Sequence, residues 1–278
     1  TAFFYHCMDI HPEIGRISGE FRNPLLFRFL RRLDSISCGI ARQVVVLSAD
    51  MKKSLLARPH MDASNIVVIN TFPMPLHGET VTPANGLLKA PDKFRIVFTG
   101  NIGRFQALEN FVAAMAKLSH YPQIELVFVG EGKALHGLRE RAAGAKNVNF
   151  VSHKPVSIAR SMMANADLGI VSLESEIYRY AFPSKTMAYL AEGCPLIVSV
   201  ERNSELVDMV ESRNVGIWVE RNSPQAIANA IESLYLNRER HQQMRANAKL
   251  VAEERFSEKV VMDEWLESID NIVGTASV

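Results

Sequence analysis

The sequence predicts an α/β fold in which parallel strands form a doubly wound sheet. Short runs rich in β-branched residues alternate with segments whose apolar residues recur at helical spacing. Continuous apolar strands separated by helices are typical of parallel strands that are covered on both faces. The composition agrees, because 47% hydrophobic and 22% charged residues in a chain of 278 are ordinary values for a globular protein.

The charge and cysteine content narrow the classes of function. The chain has 31 Lys and Arg against 30 Asp and Glu, a formal charge of +1, whereas a duplex-binding protein usually carries a strongly basic surface. Nucleic acid is therefore not an expected partner. Cys7, Cys38 and Cys194 are odd in number and far apart, which favours a reducing, cytoplasmic location over a disulfide framework. No apolar run approaches the roughly 18 residues of a membrane span.

The first predicted strand, residues 3–9, begins almost at the start of the chain. Two more strands follow, at residues 43–48 and 65–70, before the pattern changes. We therefore expect residues 1–75 to be the C-terminal part of a larger domain, N-terminally incomplete, with an exposed sheet edge beside the first strand.

Polar residues cluster at the end of this first strand. Strand alternation places Cys7, Asp9 and His11 on one side and His6 on the other, so we interpret the cluster as incidental rather than as a metal site. Asp9 and His11 are either residues of a binding cleft or caps of the turn that follows the strand.

A helix is predicted to begin at Asn23 and Pro24, because asparagine is a favoured cap and proline suits the first helical position. Its apolar face carries Leu26, Phe29, Leu30 and Leu33, and arginines lie on the other face. Two interpretations are open. Either the apolar face packs on a core and the basic side is solvated, or residues 24–33 form a basic amphipathic surface that contacts anionic lipid.

Residues 76–92 are rich in proline and glycine, poor in large apolar residues, and are interpreted as an interdomain linker. Six further strands follow, at residues 94–100, 124–130, 148–153, 166–173, 195–200 and 216–220. We expect them to form a complete second domain, residues 93–255, followed by a C-terminal helix in residues 256–278.

Three turns in the second domain follow strands, and ligands bind at the carboxyl ends of strands in open parallel sheets. Residues 98–104 read Phe-Thr-Gly-Asn-Ile-Gly-Arg, where glycines let backbone N–H groups approach a phosphate and the arginine adds a charge. Residues 129–133 read Val-Gly-Glu-Gly-Lys. Residues 182–186 read Phe-Pro-Ser-Lys-Thr and open a helix, with Ser184 as the expected N-cap. A single turn of this kind can be needed only for the backbone conformation of the turn. Three of them together favour a diphosphate-containing ligand. The dinucleotide spacing and the Gly-Lys-Ser/Thr P-loop are both missing, which argues against NAD and ATP.

These motifs resemble the retaining glycosyltransferases of family four, the group 1 glycosyltransferases. The resemblance rests on residues 98–106, 129–132, 147–150, 183–197, 205–207 and 255–257, with residues 9–13 and 46–48 similar to the back half of the acceptor domain. It implies the GT-B fold, here one complete Rossmann-like donor domain plus the C-terminal part of a second, Rossmann-like acceptor domain. The last helix would cross back onto the first domain. It also implies transfer of a sugar, with retention, from a nucleotide diphosphate sugar to a saccharide or polyprenyl-linked acceptor in bacterial surface polysaccharide or lipopolysaccharide synthesis.

The resemblance also implies roles for individual residues. The donor-binding residues would be Gly100, Asn101, Gly103, Arg104, Gly130, Lys154, Pro155, Ser184, Lys185 and Thr186. Arg104 and Lys185 would face the diphosphate, and Lys154 and Pro155 would pack against the base. The catalytic candidates are Asp9, His11 and Glu176. No metal or other cofactor is implied, and no Asp-x-Asp motif is present.

Departures from the family pattern leave the sugar and the exact site open. Many members of the family have a glutamate at the helix position that is Ala188 here. A second, earlier glutamate would contact the donor sugar, and Glu174, Glu176 or neither of them takes that place. The usual Arg/Lys pair of the first loop reads Asn101 and Gln106. A UDP-sugar is slightly favoured as donor, and the enzyme is expected in the cytoplasm or peripherally on the inner face of the plasma membrane. The alternatives are a nucleotide-sugar epimerase of similar fold and a donor-binding fragment without turnover.

Overall fold

The computed structural model describes residues 3–75 and 87–274, and these form two compact units. The first unit contains the described residues of Thr1–Phe72, Ser175–Pro183 and Arg255–Val278, and the second contains those of Pro73–Glu174 and Ser184–Glu254. Every pairing between the named strands of both units is parallel, as the sequence predicts. Most of the predicted linker, residues 76–86, lies outside the described residues.

The first unit contains a three-stranded sheet in the order β1-β2-β3. Its strands are β1 (Phe4–Cys7), β2 (Gln43–Val46) and β3 (Ile66–Val68). Strand β1 pairs with β2 and lies at one edge of the described sheet, which is the place expected for the first predicted strand. All four residues of β2 are buried, because this strand lies in the middle.

Helices cover this small sheet. They are α1 (Glu13–Ile17), α2 (Pro24–Ile40), α3 (Ala49–Leu56) and α11 (Glu258–Gly274), with 3₁₀ turns at Ala63–Asn65 and Ile177–Arg179. Val261 of α11 packs with Val45 and Ile69, so the C-terminal helix lies against the three-stranded sheet. None of the helices that the structure describes is long and apolar enough to cross a membrane.

Helix α2 begins as predicted but buries a different face. The side chain of Asn23 accepts hydrogen bonds from Leu25 N at 2.9 Å and Leu26 N at 3.3 Å, which confirms the predicted cap. The buried residues of α2 are Phe27 and Cys38, whereas Leu26, Phe29 and Leu33 are 45%, 57% and 46% exposed. The interpretation that this apolar face packs on a core is therefore wrong for the described residues.

The second unit contains a six-stranded sheet in the order β6-β5-β4-β7-β8-β9. Its strands are β4 (Phe94–Thr99), β5 (Ile124–Val129), β6 (Val148–Val151), β7 (Leu168–Ser172), β8 (Leu196–Ser199) and β9 (Gly216–Trp218). All six predicted strands are confirmed. Because the strands are parallel, the loops that follow them emerge at one edge of the sheet.

Seven helices are described in this second unit, and the last of them ends one residue beyond the boundary at Glu254. They are α4 (Glu109–Lys117), α5 (Leu135–Arg141), α6 (Val156–Ala164), α7 (Lys185–Ala191), α8 (Glu205–Ser212), α9 (Pro224–Leu236) and α10 (Arg238–Arg255). Phe111 of α4 and Leu234 of α9 are buried in one core cluster with Phe94 and Phe98 of β4. This core supports the loop that follows β4.

A buried tyrosine fixes α7 against the middle of the sheet. Tyr189 is fully buried, and its hydroxyl donates to Val97 O at 3.2 Å and accepts from Thr99 N at 3.0 Å. Its ring lies so close to Gly169 that a Cβ there would be 2.5 Å from the ring. The first turn of α7 is thereby held beside the carboxyl end of β4.

Candidate functional site

The loops that follow β4 and β5 lie directly against each other. Gly100 N donates to Val129 O at 2.9 Å, and Ile102 N donates to Glu131 O at 2.8 Å, so backbone pairing continues beyond the strands. Gly130 has φ +143°, and a Cβ there would lie 2.0 Å from Gly100 O. Glycine is required at this position because two backbones meet there.

Three N–H groups of the first loop, those of Gly100, Ile102 and Gly103, already have acceptors within the protein. Besides the bond from Gly100 to the second loop, Gly103 N donates to Gln106 Oε1 at 2.9 Å. From the sequence we expect these N–H groups to face a phosphate. A phosphate at Gly103 would have to replace the Gln106 amide, because the N–H group is satisfied without a ligand.

Lys185 supplies a desolvated cation at this edge of the sheet. Its Nζ lies 3.7 Å from the ring centroid of Phe98, two residues before Gly100, where the aromatic face attracts an ammonium group. Burial lowers the pKa of Lys185 from its ordinary value of 10.5 to about 7. Within residues 3–75 and 87–274 no carboxylate pairs with it, so an anion that enters here would stabilise its charged form.

The start of α7 differs from the prediction. Ser184 precedes the helix, but its backbone is helical, with φ −54° and ψ −27°, and its side chain makes no cap hydrogen bond. Ser184 thus occupies the predicted N-cap position, but its side chain does not cap the helix, because a capping residue adopts extended angles that turn its hydroxyl toward the helix N–H groups. Thr186 is fully buried, and its Oγ1 has no hydrogen-bond partner in the described part of the chain.

The remaining predicted donor residues lie at the same edge. Asn101 and Arg104 are exposed on the loop after β4, and Arg104 forms no ion pair with any residue that the structure describes. Lys154 and Pro155 follow β6, which continues to pair with the loop after β5 through a 3.0 Å bond from Gly130 N to the last residue of β6. The structure thus brings all ten donor candidates to the loop edge of the second unit.

A charged cluster extends this edge beyond β7, β8 and β9, and sequence reasoning missed all of its members except Glu174. Arg221 Nη1 lies 2.9 Å from Glu201 Oε1, and Arg221 Nη2 lies 3.6 Å from Glu174 Oε2. Glu174 N also donates to Phe105 O at 2.6 Å, which joins the cluster to the loop after β4. The signal that identifies it is position, since each of the three charged residues follows the end of a parallel strand by two or three residues.

The loop edge of the second unit can therefore neutralise a phosphate-bearing ligand. Lys185 is packed against Phe98 and Arg104 is exposed, which gives one cation held by packing and one in solvent. Charge–charge attraction strengthens where water is excluded. The glutamates around Arg221 add acceptors that suit hydroxyl groups.

The catalytic candidates Asp9 and His11 lie in the first unit, after β1. Ile10 N donates to Tyr180 O at 2.8 Å, and Asp9 forms an isolated antiparallel bridge with Ala181. Neighbouring protein that displaces water raises the pKa of Asp9, although its side chain is exposed, and the charge of His11 opposes this rise.

Glu176, the third catalytic candidate, is an exposed residue of the first unit. It has a left-handed backbone with φ +71° and pairs with Arg179 at 3.3 Å. Of the two glutamates that the sequence leaves as alternatives, Glu174 is the last residue of its segment in the second unit, and Glu176 lies in the segment of the first unit that follows. Among the described ranges, no three His, Cys, Asp or Glu side chains are grouped so that they could hold a metal ion.

A buried arginine holds the loop of His11 from beneath. The Arg58 side chain is fully buried and binds both oxygens of Glu13, at 3.1 and 2.7 Å, as well as Asp34. Its Nη2 donates to His11 O at 3.0 Å. Burial alone lowers the pKa of Arg58, but the hydrogen bonds to Glu13 and Asp34 outweigh this effect and raise it. Sequence reasoning missed this residue because 45 positions separate it from Glu13.

Comparison with known proteins gives a consistent pattern. The model of the family "Glycosyl transferases group 1" matches residues 84–251, more than half of the chain. The probable glycosyltransferase WbjE of Pseudomonas aeruginosa is 24% identical over 236 residues, which are 81% of this chain and 58% of that protein. WcaI of Escherichia coli strain K12, a putative colanic acid biosynthesis glycosyl transferase, is 28% identical over 152 residues, 54% of this chain and 37% of that protein. The chain thus spans about half the length of these relatives.

The fold is also similar to solved structures. The crystal structure of Anabaena HepE in complex with UDP is 16% identical with a TM-score of 0.73, and the match covers 97% of this chain and 72% of that chain. At this level of identity the likeness concerns the fold, which is the GT-B fold that the motifs imply.

Proposed function

Since the chain belongs to the group 1 glycosyl transferases, we propose that it transfers a sugar, with retention, from a nucleotide diphosphate sugar to an acceptor hydroxyl. The observation that supports this most is Lys185, a desolvated cation without a carboxylate partner among the described residues, at the carboxyl end of β4. A cation of this kind is costly to the folded protein unless an anion occupies the site.

The donor in this proposal is a UDP-sugar. The solved structures of HepE that share this fold include complexes with UDP and with UDP-glucose. On this chain, Lys154 and Pro155 would contact the base, and Lys185 and Arg104 would contact the diphosphate. The cluster of Glu174, Glu201 and Arg221 lies beyond them along the sheet edge and would face the sugar hydroxyls.

The chemistry required is the neutralisation of a departing diphosphate while an acceptor hydroxyl attacks the anomeric carbon. Lys185 and Arg104 would stabilise the negative charge that develops on the leaving group. Asp9 and His11 remain the candidates for positioning the acceptor hydroxyl, with Glu176 as the third. We propose that no divalent metal takes part, because two cations are available for the diphosphate.

The acceptor in this proposal is a saccharide or a polyprenyl-linked saccharide in bacterial surface polysaccharide synthesis. The name of the relative WcaI refers to colanic acid biosynthesis, which is a process of this kind. We propose a cytoplasmic enzyme that reaches its acceptor at the inner face of the plasma membrane through residues 24–33.

Calorimetric titration with UDP tests the donor site. Lys185→Ala and Arg104→Ala are each expected to weaken UDP binding about tenfold or more, since one charged hydrogen bond contributes about 1.5–3 kcal/mol. Lys117→Ala, an exposed lysine on the far end of α4, is the matched control and should leave the affinity unchanged. EDTA should have no effect. Unchanged UDP affinity in both Lys185→Ala and Arg104→Ala would contradict the assignment.

Incubation with a UDP-sugar alone separates transfer from epimerisation. A transferase needs an acceptor, so the recovered nucleotide sugar should be unchanged apart from slow hydrolysis. An isomerised sugar in the absence of acceptor would identify an epimerase of similar fold instead.

A further inference from the structure

The loop after β4 carries a side-chain carboxamide whose orientation is fixed by the backbone. Gly103 N donates to Gln106 Oε1 at 2.9 Å. Only the oxygen of a carboxamide can accept a hydrogen bond, so this bond determines which end of the Gln106 amide meets the backbone. Gln106 makes no other hydrogen bond with any residue that the structure describes. Its Nε2 amino group is therefore left with two hydrogens to donate.

The amino group of Asn101 lies close to that of Gln106, over Gly103. A Cβ on Gly103 would be 3.3 Å from Asn101 Nδ2 and 3.8 Å from Gln106 Nε2, so both amino groups lie within 4 Å of one point. The oxygen of the Asn101 amide lies near the second loop, because a Cβ on Gly132 would be 2.7 Å from Asn101 Oδ1. Neither amino group has an acceptor within the described ranges. Two hydrogen-bond donors thus converge where residue 103 has no side chain.

We propose that Gln106 binds the diphosphate of the donor through Nε2, together with Asn101 Nδ2, and that this neutral pair limits the preference of the site for free UDP. The inference rests on the proposed function, in which the diphosphate lies at this loop with Lys185 and Arg104. A role of Gln106 confined to the loop accounts for the bond to its oxygen. It does not account for the convergence of two amino groups without acceptors.

Neutral donors and cations respond differently to the charge of the ligand. A carboxamide N–H donates to a phosphate oxygen but carries no net charge, whereas attraction to a cation grows with the charge on the phosphate. Free UDP carries up to one more negative charge than a UDP-sugar, because its terminal phosphate has a second pKa of about 6. The carboxamide pair would therefore hold the diphosphate of the substrate without adding to the affinity for the more highly charged product.

Two substitutions of Gln106 with opposite charge test this role by calorimetric titration with UDP. Gln106→Glu keeps an oxygen that can accept from Gly103 N but loses the amino group, so UDP affinity should fall about tenfold or more. Gln106→Lys loses that oxygen but supplies a charged donor, so UDP affinity should equal that of the parent chain or exceed it. A residue that only supported the loop would give the reverse, with Gln106→Glu unchanged and Gln106→Lys weakened.

UDP-glucose is the second probe, because its terminal phosphate is esterified. In Gln106→Lys the ratio of UDP affinity to UDP-glucose affinity should be about fivefold higher than in the parent chain, as expected for one extra pair of charges about 4 Å apart in water. A change confined to the conformation of the loop would alter both affinities by the same factor.

Gly103→Ala is an independent test of the convergence of the two amino groups. The backbone of Gly103 is not in the left-handed region, so alanine suits it, and the nearest atom to the added Cβ belongs to the exposed side chain of Asn101. The methyl group would cover the point between the amino groups and should weaken UDP binding about tenfold, as for the loss of a hydrogen bond to a charged group. Circular dichroism should be unchanged.

The matched controls are Gln242→Glu and Gln242→Lys, which make the same charge changes at an exposed glutamine of α10 and should leave both affinities unchanged. Parent-like UDP binding by Gln106→Glu, or an unchanged affinity ratio in Gln106→Lys, would overturn the inference. So would tighter UDP binding by Gln106→Ala, which would show that the amide competes with the phosphate. If Lys185→Ala still weakens UDP binding in these cases, the proposed function stands. Absence of UDP binding by the parent chain would overturn both.

Discussion

At the scale of single residues, Lys185 connects the stability of the protein to its ligand. Its ammonium group is desolvated beside Phe98 and lacks a carboxylate partner among the described residues. Because the pKa of Lys185 is lowered from 10.5 to about 7 in the folded protein, the cost that its charge adds to folding is full below about pH 7, shrinks as the pH rises, and disappears above about pH 10.5. A bound diphosphate would restore the proton and offset that cost.

This balance predicts a pH-dependent affinity for UDP. A diphosphate raises the pKa of Lys185 in the complex above its value of about 7 in the free protein. Binding above pH 7 therefore takes up a proton, and affinity should fall by up to about tenfold per pH unit from pH 7 until the pKa of the complex is reached. Calorimetry at intervals of about one pH unit between pH 6 and pH 9 measures this change in UDP affinity.

Lys185→Arg is the control for this pH dependence. Arginine stays charged throughout the range, so the variant should bind UDP with an affinity that is nearly constant from pH 7 to pH 9. A constant affinity in the parent chain would show that the proton on Lys185 is not linked to binding.

Sequence motifs predict Lys185 and Arg104 as donor-binding candidates, but they do not specify which hydrogen bonds the backbone groups make. The prediction that Gly103 N–H faces a phosphate overlooks Gln106, whose amide accepts from it. Ser184 occupies the predicted N-cap position, but its side chain does not cap the helix because its backbone is already helical. Both details depend on rotamers and dihedral angles, which a motif does not specify.

At the scale of elements, replacing two different glycines with alanine is expected to have opposite effects on stability. A Cβ on Gly130 would meet Gly100 O at 2.0 Å, in a backbone conformation with φ +143° that L side chains rarely adopt. Gly130→Ala is therefore expected to lower the free energy of unfolding by about 2–5 kcal/mol and to weaken UDP binding, through strain and overpacking. Urea unfolding measures the first effect and calorimetry the second.

Gly137→Ala is the matched control, because Gly137 lies within α5 and a Cβ there has no atom within 4 Å. Alanine favours the helix, so the free energy of unfolding should rise by about 0.5–1 kcal/mol. If Gly130→Ala proved as stable as Gly137→Ala, the close contact of the two loops would be wrong.

Element types follow readily from the sequence, whereas their orientation does not. All nine predicted strands form because β-branched runs bounded by turn residues permit few alternatives. The helical spacing of Leu26, Phe29 and Leu33 correctly places them on one face of α2, yet that face is exposed. Periodicity shows which residues share a face of a helix. Whether that face is buried depends on what the rest of the protein packs against it.

At the scale of the whole molecule, the predicted donor residues belong to one compact unit and the buried network of Arg58 to the other. Arg58→Met is expected to lower the stability of the first unit by about 3 kcal/mol, because the partly buried Glu13 and Asp34 lose the cation that they share and Arg31 still pairs with Glu13. UDP affinity should be unchanged below the unfolding temperature. Circular dichroism and calorimetry measure the two quantities.

The control for this variant is Lys53→Met, an exposed residue of α3 in the same unit, which should be neutral. A loss of UDP affinity in Arg58→Met at a temperature where its circular dichroism is native would show that donor binding depends on the first unit.

The division into units is partly visible in the sequence. The change of pattern at residues 76–92 indicates two domains, but nothing in it assigns Ser175–Pro183 to the unit that contains the start of the chain. That assignment rests on contacts such as Ile10 N with Tyr180 O, between residues 170 positions apart in the chain. Long-range backbone contacts of this kind leave no local pattern.

If the proposed donor site is correct, the paired loops after β4 and β5 also limit how donor preference can diversify. Backbone hydrogen bonds join the two loops, so a change in the length of one loop would misalign the other. The two loops must therefore be exchanged together, as a single cassette. Variation is less constrained in the segments that carry Glu174, Glu201 and Arg221, whose contacts are made by side chains. A directed-evolution library for new sugars would therefore keep the cassette fixed and randomise these three segments.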